Sequence, residues 1–425
     1  MAASKTCSLL STSANPLQVT ADHHHDGSPR RRAKSNSLSR RPFPLSSSHA
    51  HPSRPANQSK SSARRRKGSG RSLRWLFRRT WTLPLALILG FLSLYAIIPT
   101  ESNPVHPFLF LSYRINHQDG QYGKGPRDLA FISFYTIVLS FTREFVMQEV
   151  LRPLARLGGI RSRGKQQRFM EQMYTACYIA FIGPLGLYTM KQTPGLWYFE
   201  TRAMYEGFPH RTHQAVFKFY YLFQAAFWVQ QAIVMLLGQE KRRKDFRELV
   251  AHHIITIALI ALSYRFHFTY IGIAVYITHD ISDFFLAISK SLNYLTSPLQ
   301  APAFALCIAA WVYLRHYLNL RILASVATEF RTVGPFELDW VAGQYKCGIS
   351  QAVTFALLAA LQALNLFWLY CLFRSAYRFV VLGVAKDDRS EAEEEDDDGV
   401  GEGAKRAKKA LLDGSNIRVV VTEFS

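Results

Sequence analysis

Long apolar stretches alternate with short polar connections along most of this 425-residue chain. A helix that crosses a bilayer needs about 20 mostly apolar residues, and eight stretches approach that length. The pattern therefore predicts an all-α integral membrane protein with about eight transmembrane helices. The predicted spans are Trp81–Ile98, Leu129–Leu151, Met173–Met190, Val216–Leu237, Leu249–Tyr264, Ile271–Ser289, Ala303–Val326 and Ile349–Phe373.

Two of these spans fit the pattern less well than the others. The fifth is short, and the seventh is interrupted by Arg315, His316 and Asn319. Ionisable residues inside membrane helices are costly and mostly face the interior of the bundle. Arg315 is therefore expected to pair with a buried acid or to bind an anionic group.

The two ends of the chain have a different composition from the middle. Residues 1–80 hold 17 Lys and Arg against two Asp, and they supply most of the net charge of +21. The few apolar residues of this segment cannot offset the conformational entropy that an ordered chain would lose. We therefore predict a disordered basic arm. No nucleic-acid-binding fold accompanies this charge, which favours a place beside an anionic membrane surface. Residues 381–425 contain the acidic block Asp387–Asp398 and predict a disordered tail.

The charges of the connecting loops predict the orientation of the spans. The arm ends in a basic cluster and is placed in the cytosol. With eight spans, the basic loops Arg152–Arg168 and Gln239–Glu248 then lie on the same side, whereas Glu329–Tyr345 on the other side is poorer in Lys and Arg. Both chain termini are therefore predicted to be cytosolic. Seven spans would move the C-terminal tail to the opposite side.

Cysteine and histidine spacing argues against a disulfide framework and a metal centre. The five cysteines are scattered, without the spacing of a metal site or a disulfide scaffold. A membrane di-iron enzyme would carry several His-rich boxes, whereas the predicted spans hold one His–His pair. The sequence therefore predicts no metal site.

Two groups of ionisable residues lie on consecutive predicted spans. His252 and His253 begin the fifth span, and the sixth carries His279, Asp280 and Asp283. Asp283 shares a helix face with both His279 and Asp280, because residues three and four apart are neighbours on a helix. Adjacent antiparallel helices would place the imidazoles and carboxylates at matching depths in the cytosolic half of the membrane. We therefore expect an imidazole–carboxylate contact.

Such a contact supports either catalysis or helix packing. A carboxylate sets the tautomer of an imidazole and raises its basicity, as a general base or a nucleophile requires. The alternative is a hydrogen-bonded clamp that only holds the bundle together. Two histidines and two aspartates at matched depth favour catalysis. Arg143 and Glu144, which are adjacent in the second span, point in different directions on a helix and are each expected to find a separate partner.

The array of these residues resembles the Lag motif of the ceramide synthases, within the TLC-domain family. It consists of the run Lys218–Gln231, then Arg242-Arg243-Lys244-Asp245-Phe246, then His252-His253, and finally His279-Asp280-Ile-Ser-Asp283. The similarity covers about residues 166–380, so residues 81–165 would form two additional helices before a six-helix TLC bundle around an acyl tunnel. The absence of a homeobox-like insert in the predicted cytosolic loops, together with the long basic arm and acidic tail, resembles the fungal branch of the family.

The resemblance implies the transfer of an acyl group from fatty acyl-CoA to a sphingoid base in the endoplasmic reticulum membrane. Acyl-CoA would be a co-substrate, with no metal and no bound organic cofactor. The implied partners are membrane lipids, a second ceramide synthase chain and a small single-span subunit. The alternative is a non-catalytic TLC-domain protein that transports or senses lipid or assists a translocon. The expected catalytic residues are His252, His253, Asp280 and Asp283, and the expected substrate-binding residues are Tyr276, His279, Lys241, Arg242, Arg243 and Arg315.

Two mechanisms fit these residues. In one, an imidazole takes a proton from the amine as it attacks the thioester. In the other, an imidazole is acylated first and then passes the chain to the amine. The basic run Lys241–Lys244 would bind the phosphates of coenzyme A, and Tyr276 would donate a hydrogen bond to the oxyanion. The acyl chain length that the enzyme prefers cannot be predicted from these residues.

Overall fold

Helices make up most of the structure, a computed structural model that describes residues 79–115, 120–240 and 243–382. The predicted basic arm, the acidic tail, Lys241 and Arg242 lie outside these ranges. The helices are α1 (Thr82–Ile97), α2 (His106–Leu109), α3 (Asp128–Leu157), α4 (Arg163–Gln192), α5 (Ala215–Leu236), α6 (Phe246–Arg265), α7 (Thr269–Tyr294), α8 (Gln300–Thr328) and α9 (Gly348–Leu382).

Seven of these helices, α3 to α9, are long and apolar enough to cross a membrane. The chain is therefore a multi-pass membrane protein, as the apolar pattern predicts. The first predicted span corresponds to α1, which has only 16 residues. At about 1.5 Å per residue, α1 is about 24 Å long and falls short of the roughly 30 Å hydrocarbon core. The helix that corresponds to the predicted fifth span, α6, is longer than the apolar run that predicted it, because the helix begins three residues earlier, at Phe246.

The last six helices form a closed ring. Helix α4 packs against α7, α7 against α8, α8 against α9, α9 against α6, α6 against α5, and α5 again against α4. Helix α3 packs on the outside of α5, and α1 packs on α3. This arrangement agrees with the expected TLC-type barrel preceded by two helices.

The polar residues that interrupt the apolar run of α8 lie in a π-helical segment of that helix. The segment Val312–Leu318 is a π-helix between two α-helical parts, and it carries Arg315 and His316. Both side chains are buried. A π-turn inserts one extra residue into a helix and is frequent at functional sites. The break in the seventh apolar run therefore marks a turn that places Arg315 in the interior.

Helix α3 also contains a π-helical segment, Val146–Leu151. One turn before it, Arg143 and Glu144 each find a separate partner, as expected, and they also pair with each other. Arg143 Nη2 bonds Glu240 Oε1 at 2.6 Å in the connection after α5, and Gln148 Nε2 donates to Glu144 Oε2 at 3.0 Å. Arg143 Nη1 also bonds Glu144 Oε1 at 2.7 Å, because a long guanidinium can reach along the backbone to its own neighbour.

Short strands and loops cover one end of the ring. The strand β1 (Gln121–Tyr122) pairs antiparallel with β2 (His213–Gln214), and β3 (Leu338–Asp339) pairs antiparallel with β4 (Gln344–Tyr345). We call this the hairpin end, because it also contains the short turn between α6 and α7. The opposite end, with the α5–α6 and α7–α8 connections, is called the vestibule end.

Candidate active site

The histidine pair lies in the second turn of α6, close to the vestibule end. His252 and His253 are 6% and 8% exposed. The His252 ring lies 5.4 Å from Trp228 of α5 and 5.2 Å from Trp368 of α9, and the His253 ring lies 5.7 Å from Trp228. The two imidazole rings are 5.9 Å apart and nearly perpendicular. Aromatic rings therefore hold the pair in place on two sides.

The tautomer of His253 follows from its hydrogen bond. Its Nδ1 lies 2.9 Å from the carbonyl oxygen of Leu249, one turn earlier. A carbonyl can only accept, so Nδ1 carries the hydrogen, and in the neutral ring Nε2 then has a free lone pair. This is the form that a general base or a nucleophile needs. His252 Nδ1 has no hydrogen-bond partner among the described residues.

Asp280 belongs to a buried hydrogen-bond network on the inner face of the barrel. Gln224 Nε2 donates to Asp280 Oδ2 and also to Tyr220 Oη at 3.1 Å. Gln224 Oε1 accepts from Tyr178 Oη at 2.9 Å. Because every polar atom of this fully buried amide is engaged, Gln224 sets the position of the carboxylate.

Asp283 forms an ion pair with Arg315 across the interface between α7 and α8. Arg315 Nη2 lies 2.6 Å from Asp283 Oδ1, and the side chains are 2% and 30% exposed. Arg315 also donates to Ser282 Oγ at 2.5 Å and to Asn365 Oδ1 at 3.2 Å. Arg315 therefore pairs with an acid, as expected, although Asp283 is only partly buried, and its guanidinium joins α7, α8 and α9.

The direct imidazole–carboxylate contact expected from the spacing is not made. Within the described ranges, neither His252 nor His253 is hydrogen-bonded to Asp280 or Asp283. The physical reason is competition, because Gln224 and Arg315 already bind these carboxylates. The four side chains nevertheless line one cavity. The structure therefore places the two carboxylates in the same cavity as the two imidazoles, without a bond between them.

Two cavities of opposite character meet at this point. A tunnel of about 340 Å³ runs between α6, α7 and α9 toward the hairpin end, and its wall is mostly apolar. A vestibule of about 470 Å³ lies at the vestibule end and is lined by many polar and charged side chains. Trp228, His252 and Asp280 line both cavities. The junction of the tunnel and the vestibule therefore lies at His252.

The remaining predicted residues divide between these cavities. Tyr276 and His279 line the tunnel, and Arg243 and Arg315 line the vestibule. Both ring nitrogens of His279 have hydrogen-bond partners, because Nδ1 lies 2.8 Å from the Val275 carbonyl and Nε2 lies 3.2 Å from Asn365 Nδ2. His279 is therefore a packing residue within the network of α7 and α9, although it reaches the tunnel wall.

Sequence reasoning missed three residues that hold the site together, Gln224, Trp228 and Asn365. All three are polar or amphipathic side chains within apolar runs, and a buried amide in a membrane helix is itself a signal of an interhelical bond. Gln224 and Trp228 are four residues apart, so they share one face of α5.

Within the described part of the chain, no three His, Cys, Asp or Glu side chains are grouped so that they could hold a metal ion.

Comparison with known proteins agrees with this architecture. Residues 168–374 match the family model described as the TLC domain. The sphingosine N-acyltransferase-like protein FUM17 of Gibberella moniliformis is 59% identical over 337 residues, which cover 78% of this chain and 87% of that protein. Sphingosine N-acyltransferase lac1 of Schizosaccharomyces pombe is 47% identical over 75% of this chain and 82% of its own length. Ceramide synthase LAG1 of Saccharomyces cerevisiae is 46% identical over 75% of this chain and 78% of its own length. The chain therefore belongs to the TLC-domain family of sphingosine N-acyltransferases, or ceramide synthases, and to the fungal branch of that family.

Proposed function

We propose that this chain transfers the acyl group of a fatty acyl-CoA to the amino group of a sphingoid base, dihydrosphingosine or phytosphingosine, and so forms a ceramide. The observation that carries the proposal is the meeting of an apolar tunnel and a polar vestibule at His252. The tunnel suits an acyl chain. The vestibule suits the anionic coenzyme, because Arg243 and Lys290 line it and cations bind phosphate well.

In the proposed mechanism, His252 is the nucleophile and His253 is the acid and base. A lone pair of the His252 imidazole attacks the thioester carbon, the C–S bond breaks, and the thiolate takes the ring N–H proton of the acylated imidazole through His253, so that the coenzyme leaves as a thiol. The amine of the sphingoid base then attacks the acyl-imidazole, the bond from carbon to imidazole nitrogen breaks, and the proton released by the amine returns through His253 to the His252 imidazole. We assign the roles in this order because His252 lines both cavities, whereas His253 lines only the vestibule.

The carboxylates act on the charge that develops during these steps. An acylated or protonated imidazole is cationic, and a nearby carboxylate stabilises that cation in a low-dielectric cavity. Gln224 holds Asp280 at the junction, and Arg315 holds Asp283 at the vestibule. This role requires proximity and a fixed position, and it requires no direct hydrogen bond to the imidazole.

Ceramide formation by the purified full chain tests the activity. Fatty acyl-CoA and dihydrosphingosine are mixed with the protein, and the product is identified by mass spectrometry. We expect ceramide from the wild type and none above background from the double variant His252→Ala/His253→Ala. If the wild type forms no more ceramide than that variant, the chain is a non-catalytic TLC-domain protein.

Intact-protein mass spectrometry separates the two mechanisms. With acyl-CoA present and the sphingoid base omitted, we expect a mass increase of one acyl group on the wild type. The adduct is absent from His252→Ala and present on His253→Ala. If no adduct forms although the wild type turns over normally, the amine attacks the thioester directly.

Coenzyme recognition is assigned to the basic run that includes Arg243. The triple variant Lys241→Ala/Arg242→Ala/Arg243→Ala is expected to raise the KM for acyl-CoA by about tenfold or more, with little change in the KM for the sphingoid base. A tenfold change corresponds to about 1.4 kcal/mol, the size of one charge-assisted hydrogen bond. An unchanged KM for acyl-CoA would place the phosphates elsewhere.

The cellular setting is part of the proposal. We place the vestibule on the cytosolic side of the endoplasmic reticulum membrane, because acyl-CoA is cytosolic and the basic loops flank the vestibule end. In this proposal the short α1 serves as the eighth span, because Arg79 just before it pairs with Glu149 of α3 on the vestibule side, and α9 ends on that side too. Both termini are then cytosolic, and glycosylation tags at either terminus should remain unmodified. We also propose assembly with a second ceramide synthase chain and a small single-span subunit, which affinity purification and native mass spectrometry would detect. The proposed reaction uses neither a metal nor a bound organic cofactor.

A further inference from the structure

Trp228 of α5 has a buried indole N–H with no acceptor among the described residues. The side chain is only 9% exposed. Two other buried indoles are paired, since Trp368 Nε1 donates to Asp245 at 3.2 Å and Trp311 Nε1 donates to the Asn365 carbonyl at 3.4 Å. Trp228 thus differs from two tryptophans that line the same vestibule.

An unpaired buried donor has a cost. Leaving such a group unsatisfied costs about 1–3 kcal/mol, and the large majority of buried polar groups in native structures have a partner. An indole N–H is only a donor, so an acceptor oxygen is the group that would satisfy it. Of the described residues with such an unpaired buried atom, Trp228 and His252 line both cavities, so a ligand at this junction could supply the acceptor.

The location of Trp228 identifies that ligand. Trp228 lines both the tunnel and the vestibule, and its ring lies 5.4 Å from His252 and 5.7 Å from His253. One turn earlier on the same face of α5, Gln224 holds Asp280. The acyl carbonyl must come to this junction, because the chain beyond it lies in the tunnel and the coenzyme lies in the vestibule.

We infer that the Trp228 indole N–H donates a hydrogen bond to the carbonyl oxygen of the acyl group during transfer. This inference rests on the proposed function. As the nucleophile forms its bond to the carbonyl carbon, the π electron pair of C=O moves onto the oxygen, and Trp228 stabilises the resulting oxyanion. When the C–S bond breaks, the electron pair returns to re-form C=O and the thiolate leaves, while Trp228 keeps its proton throughout.

We assign this role to Trp228 rather than to Tyr276. The Tyr276 hydroxyl is also buried and unpaired among the described residues, and its ring packs 5.2 Å from the ring of Tyr221 in the tunnel wall. Tyr276 lines the tunnel but not the vestibule, so we assign it to the acyl chain rather than to the reacting carbonyl.

Replacement of the N–H at constant shape tests the inference. Benzothienylalanine, incorporated at position 228, has a sulfur atom in place of the indole N–H, and Trp228→Phe removes the donor with part of the ring. We expect both to lower the rate of acyl-enzyme formation in a single turnover by about 100-fold or more, the range seen when one oxyanion donor is removed. The affinity for acyl-CoA should change less than threefold, because the bond strengthens only in the transition state.

Trp368→Phe is the matched control. Trp368 also contacts the His252 ring, at 5.2 Å, but its N–H is already bound to Asp245. We expect it to lower the melting temperature and to reduce the acylation rate by less than tenfold. The inference is overturned if the benzothienylalanine variant acylates within threefold of the wild type, or if Trp368→Phe is slowed as much as Trp228→Phe. Absence of ceramide formation by the wild type would instead contradict the proposed function.

Discussion

Two histidines with the same local hydrogen bond have different surroundings in this protein. His253 and His279 each place Nδ1 against the carbonyl four residues earlier, at 2.9 and 2.8 Å. The Nε2 of His279 is then occupied by Asn365 at 3.2 Å, whereas His253 lines the vestibule. The helix thus sets the tautomer in both cases, and the neighbouring helix decides whether the second nitrogen is free for chemistry.

Because Asp283 is paired with Arg315, removing the Asp283 carboxylate should affect stability as well as activity. Asp283→Ala is expected to abolish ceramide formation and also to lower the free energy of unfolding by about 2 kcal/mol. Breaking a fully buried pair costs roughly 3–5 kcal/mol, and the 30% exposure of Asp283 reduces that figure. Thermal unfolding in detergent and the ceramide assay measure the two effects.

The double variant Asp283→Ala/Arg315→Met separates stability from activity. It removes the buried guanidinium that Asp283→Ala leaves unpaired, so we expect it to recover at least half of the lost unfolding free energy and none of the activity. Recovery of turnover would show that Asp283 serves only to neutralise Arg315.

Helix α7 approaches α5 closely at a glycine. A Cβ atom built on Gly272 would lie 2.3 Å from Tyr221 Oη, and Tyr221 is hydrogen-bonded to Ser263 of α6. All three residues line the tunnel. The glycine therefore sets the width of the tunnel between its junction and the hairpin end.

Gly272→Ala is expected to displace Tyr221 and narrow the tunnel. Overpacking costs about 1–3 kcal/mol, so the kcat/KM for a long acyl-CoA should fall about tenfold relative to a shorter one. Competition between the two acyl-CoAs, with the ceramides quantified by mass, measures the ratio. Gly90→Ala in α1, where a Cβ meets no atom within 4 Å, is the control and should leave the ratio unchanged. An unchanged ratio in Gly272→Ala would mean that long chains do not pass this point.

A buried ion pair fastens α3 to the ring. Lys218 Nζ of α5 lies 2.7 Å from Asp128 Oδ1 of α3, and both side chains are at most 3% exposed. Lys218 also donates to the carbonyls of Ser112 and Gly123 at 2.8 and 2.7 Å, and Asp128 accepts from Tyr264 at 2.7 Å. This network joins the helices that precede the TLC domain to α5 and α6.

Lys218→Met is expected to lower the free energy of unfolding by about 3–5 kcal/mol, because it leaves a carboxylate buried without its counter-ion. Arg202→Met is the control. The Arg202–Glu206 pair is 69% and 56% exposed, and such pairs contribute about 0–1 kcal/mol. Thermal unfolding in detergent measures both, and equal effects would contradict the importance of burial.

Across the bundle, the hairpin end contains histidines that are kept neutral. Burial lowers the pKa of His210 to about 4 and that of His267 to about 3, and it lowers the pKa of His213 well below its usual value. His210 stacks on Tyr270 with ring centroids 3.6 Å apart, and His213 stacks on Phe217 at 4.3 Å. The network at this end therefore depends on uncharged imidazoles.

Stability should fall as the solution becomes acidic. The unfolded chain binds these protons near pH 6.5, whereas the folded His210 binds its proton only near pH 4, so the stabilisation is complete above pH 6.5 and is lost as the pH falls toward 4. The shift for His210 is worth about 3 kcal/mol at most. We expect a lower melting temperature at pH 5 than at pH 7.5, and a smaller difference in His210→Gln. The same difference in both proteins would exclude His210 as the cause.

Much of the architecture could be predicted from local pattern. The apolar runs predicted eight spans, of which seven are helices long enough to cross a membrane and the first is the shorter α1. The polar array from Lys218 to Asp283 predicted the family. The predicted basic arm and acidic tail lie outside the described residues, and the expected TLC range of 166–380 and the catalytic roles stay predictions. Spacing failed where side chains choose among several partners, because Gln224 and Arg315 take the carboxylates expected to bind the imidazoles. It predicted separate partners for Arg143 and Glu144 but not the bond between them.

Hydrophobic length and helical spacing follow from the order of residues, because the bilayer requires about 20 apolar residues per span and a helix repeats every 3.6 residues. The amino-acid sequence thus determined that the protein spans a membrane, which helices carry ionisable groups, and that the histidines and aspartates lie on consecutive helices. Which partner each group binds was decided only when six helices closed into a ring. A hydrogen bond forms with the nearest correctly oriented group in space, and for Trp228, Gln224 and Arg315 that group is set by helices far apart in the chain.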